Sequence, residues 1–182
     1  ANKGMQAFVY NVRKPIFQDI ELRKAISYAF DFEWSNKTLF YNAYERAYSF
    51  YSNSDLAATG LPSQAEVALL APFKQQLPPA VFTDSYRLPK SDGSGHNRPN
   101  LRTAKVILDK AGYAVKDNQL YNADGIKINF EILLVSSGFE RIVNPFIQSL
   151  KKLGIYVNVR LVDSSQYINR KRSFDFDMIV HV

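Results

Sequence analysis

The alternation of strand-like and helix-like segments in the last third of the chain constrains the fold more than any other feature. Apolar and polar residues alternate over Ile126–Ile132 and again over Ile155–Val162, the period of strands with one buried face. Between them, residues 142–153 carry apolar side chains at helical spacing, and a short helix and a strand from Phe174 follow. Strands separated by single helices with short connections predict a mixed or parallel sheet flanked by helices. The fold class is therefore α/β, or α+β with a mixed sheet.

The beginning of the chain predicts one strand and two helices. Residues Gln6–Asn11 are rich in β-branched and aromatic side chains, which favour a strand. Asp19 can cap a helix whose apolar residues lie on one face. These residues are Leu22, Ala25, Ile26, Ala29 and Phe30. A second helix is predicted from Phe32 to Tyr44.

Residues that satisfy unpaired backbone groups mark further helix ends. Capping boxes at Ser63–Glu66 and Ser137–Glu140 each predict a helix start, and Asn100 is expected to cap another helix. Gly112 should end that helix in the left-handed conformation. Over residues 72–99 the density of Pro, Gly and Ser predicts a long irregular surface segment.

Composition indicates an ordinary globular domain. Hydrophobic residues make up 46% and charged residues 22% of 182 residues, and no linker divides the chain, so we expect one domain over residues 1–182. The absence of cysteine excludes disulfides, thiolate metal ligands and cysteine nucleophiles. No stretch reaches the roughly 20 apolar residues of a membrane span. The missing initiator Met and the end within an apolar run suggest a piece of a longer chain.

The net charge of +6 invites a nucleic-acid interpretation, which the distribution of charge weakens. The 23 basic residues are scattered, and only residues 170–172 form a run. Dispersed positive charge is typical of a solvated surface, so we expect no nucleic-acid partner.

Four phrases, in order, carry a resemblance to a known family. Phe17–Asp31, Ala104–Tyr113, Leu150–Val157 and Phe174–Asp177 resemble the carboxy-terminal lobe of family 5 extracellular solute-binding proteins. This resemblance implies one lobe of a type II periplasmic binding protein, with the amino-terminal lobe encoded elsewhere in the same chain. It implies a ligand-binding protein of the periplasm, with no enzyme activity and neither cofactor nor metal. Its partners would be a peptide and an ABC permease in the inner membrane.

Other segments resemble the YejA-type branch of this family, which is associated with oligopeptides and with the peptide-nucleotide antibiotic microcin C. They are Asp31–Asn36, Leu39–Tyr41, Ser49–Ala58 and Gly93–Arg102. A nickel complex or an opine in place of a peptide remains an alternative within the family.

One loop offers the residue types that an extended peptide requires. Arg46 could pair with a carboxylate, Tyr48 and Phe50 could pack on side chains, and Ser49 and Asn53 could hydrogen-bond. The alternative is that these aromatic residues seal the core under a loop.

A second set of candidates comes from the resemblance. Tyr167 and Arg170 match a segment of the family that faces the ligand cleft, and spacing allows Arg172 to take the place of Arg170. The alternative is a solvated basic turn.

The last predicted strand carries carboxylates and a histidine. Asp175, Asp177 and His181 share one face if the strand begins at Phe174, which suggests acid–base or metal chemistry. Carboxylates in such positions more commonly cap neighbouring backbone, so a hydrolase is the lesser hypothesis and no metal site is predicted.

Overall fold

The computed structural model describes residues 4–52 and 54–182. The chain separates into two compact units. We call Gln6–Glu45 with Pro89–Val182 the sheet unit, and Arg46–Leu88, which groups with the described residues before Gln6, the excursion unit. One domain over residues 1–182 stays a prediction.

The sheet unit contains a mixed four-stranded sheet and a separate hairpin, which confirms the predicted fold class. The strands are β1 (Ala7–Tyr10), β2 (Ala114–Lys116), β3 (Gln119–Tyr121), β4 (Asn129–Leu134), β5 (Tyr156–Leu161) and β6 (Met178–His181). The order of the large sheet is β1-β6-β4-β5, with β4 parallel to β5 and β6 and with β1 antiparallel to β6. Strands β2 and β3 form an antiparallel hairpin.

Seven α-helices accompany the strands in the described residues. They are α1 (Ile20–Ala29), α2 (Phe32–Leu39), α3 (Gln64–Leu70), α4 (Ala80–Thr83), α5 (Arg98–Lys110), α6 (Glu140–Lys151) and α7 (Ser164–Arg172). Helices α3 and α4 belong to the excursion unit. No helix in residues 4–52 or 54–182 combines the length and apolar character that a membrane crossing requires.

Both faces of the sheet are covered. Ile132 of β4 pairs with Met178 of β6, and both belong to the larger apolar cluster with α1, α5 and α6. The next residue, Leu133, points to the other face and packs in a smaller cluster with Tyr167 of α7. The crossover helices α6 and α7 therefore lie on opposite faces.

Helix α1 follows its sequence prediction. The Asp19 carboxylate accepts the amide hydrogen of Glu21 at 2.8 Å and so caps the first turn. The predicted face is buried at Leu22, Ala25, Ile26 and Ala29. Phe30, just beyond the helix, is half-buried and its ring packs edge-on against Phe146.

Helix α2 is shorter than predicted, ending at Leu39 and not at Tyr44. Tyr41 and Asn42 adopt left-handed backbone angles, with φ of 52° and 60°. The Asn36 side chain accepts the Tyr44 amide hydrogen and donates to the Tyr44 carbonyl. These side-chain hydrogen bonds take the place of the backbone hydrogen bonds that a longer helix would make.

Two predicted helix starts are wrong and one is confirmed. Ser63 and Glu66 form the expected capping box. The Ser137–Glu140 box does not form, because the Ser136 hydroxyl accepts the Gly138 amide hydrogen and residues 137–139 make a 3₁₀ turn. Asn100 lies inside α5, which starts two residues earlier because Pro99 is preorganised for a first helical turn.

The starts of two strands also differ from prediction. Strand β4 starts at Asn129, three residues after Ile126, which is exposed. The last strand starts at Met178 because Phe174 has a φ of +57° and the Asn11 side chain donates to the Phe174 and Phe176 carbonyls. The carboxylates that were expected on one strand face therefore precede the strand.

A tyrosine joins the end of α5 to the start of α1. Gly112 ends α5 with a φ of +84°, as predicted, and Tyr113 follows it into the core. The Tyr113 hydroxyl donates to Asp19 Oδ2 at 2.6 Å. Burial first, and then the Asp19 carboxylate, raise the pKa of the Tyr113 hydroxyl well above its ordinary value.

Replacing Tyr113 with Phe should lower the free energy of unfolding by about 1 kcal/mol at neutral pH, because the hydrogen bond is lost. The raised pKa stabilises the folded state below about pH 10, where unfolded tyrosine is also protonated, and this contribution declines as the pH rises further. Denaturant unfolding from pH 7 to 11 should show a constant gap between wild type and Y113F up to about pH 9, and a smaller gap above it. An unchanged gap at pH 11 would contradict this assignment.

Candidate ligand-binding site

A depression lies at the carboxyl ends of β4 and β6, where ligands bind in open α/β sheets. Its volume is about 250 Å³. It is lined by Gln6, Leu134, Val135, Phe139, Tyr167, Val180, His181 and Val182. A complete small-molecule pocket occupies roughly 300–1,000 Å³, so this depression suits one apolar side chain better than a whole peptide.

Tyr167, a predicted site residue, forms one wall of the depression. Helix α7 places it there, since Asp163 accepts the Gln166 amide hydrogen and caps the first turn. The Tyr167 side chain is 8% exposed, and its hydroxyl donates to the Val180 carbonyl at 2.6 Å. Burial raises the pKa of this hydroxyl. Tyr167 therefore lines the depression, and its hydroxyl is hydrogen-bonded to the backbone of β6.

Arg170, the second predicted site residue of α7, joins three parts of the sheet unit. Its guanidinium lies 3.2 Å from Glu131 Oε1 in β4 and 3.0 Å from Asp175 Oδ2. The same Glu131 binds Arg160 of β5 at 2.7 Å and raises the pKa of that guanidinium. This network ties α7 to the sheet. A ligand contact by Arg170 stays a prediction, as does one by Arg172, which is exposed in the last turn of α7.

The carboxylates near the last strand support the backbone. Asp177 accepts the Glu131 amide hydrogen at 2.9 Å and lies 3.4 Å from Lys14 Nζ. Asp175 pairs with Arg170, whereas His181 is exposed at the rim of the depression. Across residues 4–52 and 54–182, no cluster of three acidic, histidine or cysteine side chains is arranged to hold a metal ion.

The other predicted site residues lie in the excursion unit. Arg46 is partly buried, Tyr48 is exposed with the Arg87 guanidinium 5.8 Å from its ring centre, and Phe50 is 84% exposed. The Ser49 hydroxyl accepts amide hydrogens from within the loop and so shapes it. Asn53 lies outside the described residues. The structure thus presents Phe50 outward, and its role as a ligand contact stays a prediction.

The two stems, which are the segments of the sheet unit on either side of the excursion unit, are both held by α2 and its cap residue. On the outgoing side, Asn36 binds the backbone of Tyr44 through two hydrogen bonds. On the returning side, the Ser91 hydroxyl donates to Asp31 at 2.5 Å, and the Ser91 amide donates to Glu33 at 2.9 Å. The polypeptide therefore leaves the sheet unit and returns to it at one short helix.

Of the residues that line the depression, the sequence singled out Tyr167 as a ligand contact and His181 for acid–base or metal chemistry. A ligand contact by Tyr167 stays a prediction. The other lining residues were not singled out. Val135 and Phe139 follow the end of β4, and Gln6 precedes β1. Nothing in their residue types indicates a binding site. The usable signal was their position, because the carboxyl ends of parallel strands are the usual binding edge of such a sheet.

The mixed sheet with crossover helices on opposite faces is also the fold of solved solute-binding proteins. The fold of the oligopeptide-binding protein AppA from Bacillus subtilis, solved in complex with a nonapeptide, matches 99% of this chain and 31% of that chain. The TM-score is 0.68 at 21% sequence identity.

The chain belongs to the bacterial extracellular solute-binding proteins of family 5. The family model described as "Bacterial extracellular solute-binding proteins, family 5 Middle" matches residues 1–182. The "Probable peptide-binding protein YejA" of Agrobacterium fabrum is 48% identical over 97% of this chain, and the "Peptidoglycan-binding protein YepA" of the same organism is 36% identical over 97%. The chain spans 29% of the length of each of these relatives.

Replacing Ser91 with Ala should loosen the returning stem. The change removes a hydrogen bond to the Asp31 carboxylate, so we expect a loss of about 1.5 kcal/mol in stability and faster amide hydrogen exchange over residues 89–95. Ser94→Ala is the matched control, because the Ser94 hydroxyl accepts from His96 within its own turn. Equal exchange rates in the two variants would show that Ser91 does not anchor the stem.

Proposed function

We propose that the chain forms part of a periplasmic receptor that binds oligopeptides and delivers them to an ABC permease of the inner membrane. The observation that carries this proposal is the 48% identity, over 97% of the chain, to a protein described as peptide-binding. Identity this high over nearly the whole chain supports a shared ligand class. Closure on the ligand would let the permease distinguish loaded from empty receptor.

The depression supports recognition of peptide side chains with little selectivity. Its wall of Tyr167, Leu134 and Phe139 is apolar, and burial of apolar surface is not directional. Gln6 and His181 are polar residues at its edge. We therefore propose that this depression receives one apolar side chain, while backbone contacts and charges elsewhere hold the peptide chain.

The remaining ligand contacts are proposed for the residues that the sequence nominated. Arg46 and Arg172 would pair with carboxylates of the ligand, and Tyr48 and Phe50 would pack on its side chains. Ser49, Asn53 and Arg170 complete this set. The amino-terminal lobe, encoded outside these 182 residues, would supply the opposing surface of the cleft.

A peptide from the cell wall is a second candidate ligand. The relative described as peptidoglycan-binding is 36% identical over 97% of this chain, which favours cell-wall peptides within the broader peptide class. Further candidate ligands are conjugates of the microcin C type, nickel complexes and opines. A binding experiment with each of them distinguishes these candidates.

Titration calorimetry on the full-length receptor tests the ligand class. We expect heat from mixed peptides of three to nine residues, and none from an opine or from a nickel complex with histidine. A murein tripeptide and a peptide–nucleotide conjugate report on the two narrower candidates. Binding of the opine or the nickel complex, with no heat from any peptide, would overturn the proposal.

Replacing Phe50 with Ala should weaken peptide binding about tenfold, equivalent to about 1.4 kcal/mol, because an exposed aromatic contact is lost. Leu56→Ala is the matched control, since Leu56 lies in the same unit and is also largely exposed. Affinities are compared by calorimetry in the full-length receptor. Equal affinities in the two variants would remove Phe50 from the proposed site.

A further inference from the structure

A short apolar segment of the excursion unit lacks the polar surface of an ordinary exposed helix. We call Leu61–Phe73, which contains α3 and the 3₁₀ turn Ala71–Phe73, the apolar segment. Its one charged residue is Glu66. That carboxylate accepts the Ser63 amide hydrogen at 2.7 Å in the capping box, so local structure already uses it.

The apolar side chains of this segment surround the helix axis and remain accessible. In α3, Gln64 and Glu66 are polar and the other five positions are Ala, Val or Leu, so apolar side chains occur on every side of the helix. Four larger side chains are between 40% and 74% exposed: Leu61, Val67, Leu69 and Phe73. A helix that is apolar all round is normally buried, and adjoining exposed apolar residues mark an interaction surface.

The excursion unit cannot cover this surface with a core of its own. In residues 46–52 and 54–88, no residue is fully buried. A segment of roughly 40 residues is too short to form a stable core without help. Its apolar side chains therefore need a surface from outside the unit.

We propose that the apolar segment docks against the part of the full-length receptor that lies outside residues 1–182. The chain makes up 29% of the length of its relatives, so more than twice as much polypeptide is available to form that surface. An anionic membrane is a poor partner, because residues 61–73 contain neither Lys nor Arg. An intramolecular partner also explains how a secreted receptor carries this segment without aggregating. The proposal does not depend on the identity of the ligand.

Photocrosslinking in the full-length receptor identifies the partner. Phe73 is replaced by p-benzoylphenylalanine, a change that keeps an aromatic side chain, and Lys74, which is exposed, is replaced in the control. After irradiation without ligand, crosslinked peptides are identified by mass spectrometry. We expect position 73 to crosslink within the same molecule to residues outside 1–182, and position 74 to give at least fivefold less of that product. Crosslinks confined to residues 1–182, crosslinks between two molecules, or none from position 73 would overturn the proposal.

Cysteine labelling gives an independent readout if the photoreactive residue disturbs folding. The 182 residues contain no cysteine, so Leu69→Cys and Lys74→Cys are unique reporters here once any cysteine elsewhere is replaced. In the native full-length receptor we expect Leu69→Cys to react with a maleimide at least tenfold more slowly than Lys74→Cys, independently of ligand and of protein concentration. Equal rates would overturn the proposal, as would protection that requires ligand or appears only at high protein concentration.

Discussion

The burial of β4 on both faces is the constraint on which the rest of the sheet unit depends. Ile132, Leu133 and Leu134 are consecutive and almost fully inaccessible, so the strand needs an apolar layer on each side. Helices α1, α5 and α6 supply one layer and α7 supplies the other. Because α7 covers the second face, its ring at Tyr167 also reaches the carboxyl edge, where the depression forms.

The polar network around Glu131 fixes α7 over that second face. Glu131 holds both Arg160 and Arg170, while its own amide donates to Asp177. Ion pairs that remain partly accessible to solvent contribute little individually, and several that share one carboxylate define an orientation. Arg170 thus stabilises the packing of α7 on the sheet, independently of any ligand contact. Arg172, by contrast, is exposed.

Local patterns in the sequence predicted the presence of helices and strands better than they predicted where each one begins or ends. The apolar face of α1 was readable because four residues at helical spacing face one core. The helix starts predicted at Ser137 and Asn100 were wrong because a neighbouring residue determines the local backbone in each case. Ser136 caps a 3₁₀ turn, and Pro99 favours an earlier first turn of α5. The start of β6 depends on Asn11, more than 160 positions away, and no local pattern carries that information.

The candidate site was predictable only in part for a related reason. Tyr167 was nominated through a resemblance and lies at the depression, whereas Val135 and Phe139 could be recognised only once the parallel pairing of β4 was known.

The attachment of both stems to α2 has an evolutionary consequence. Polypeptide between two adjacent anchor points can be lengthened, trimmed or exchanged without shifting any strand, and doubling such a loop costs only about 0.6 kcal/mol. Proteins built on this sheet can therefore vary the length and sequence of the excursion unit while keeping the same scaffold.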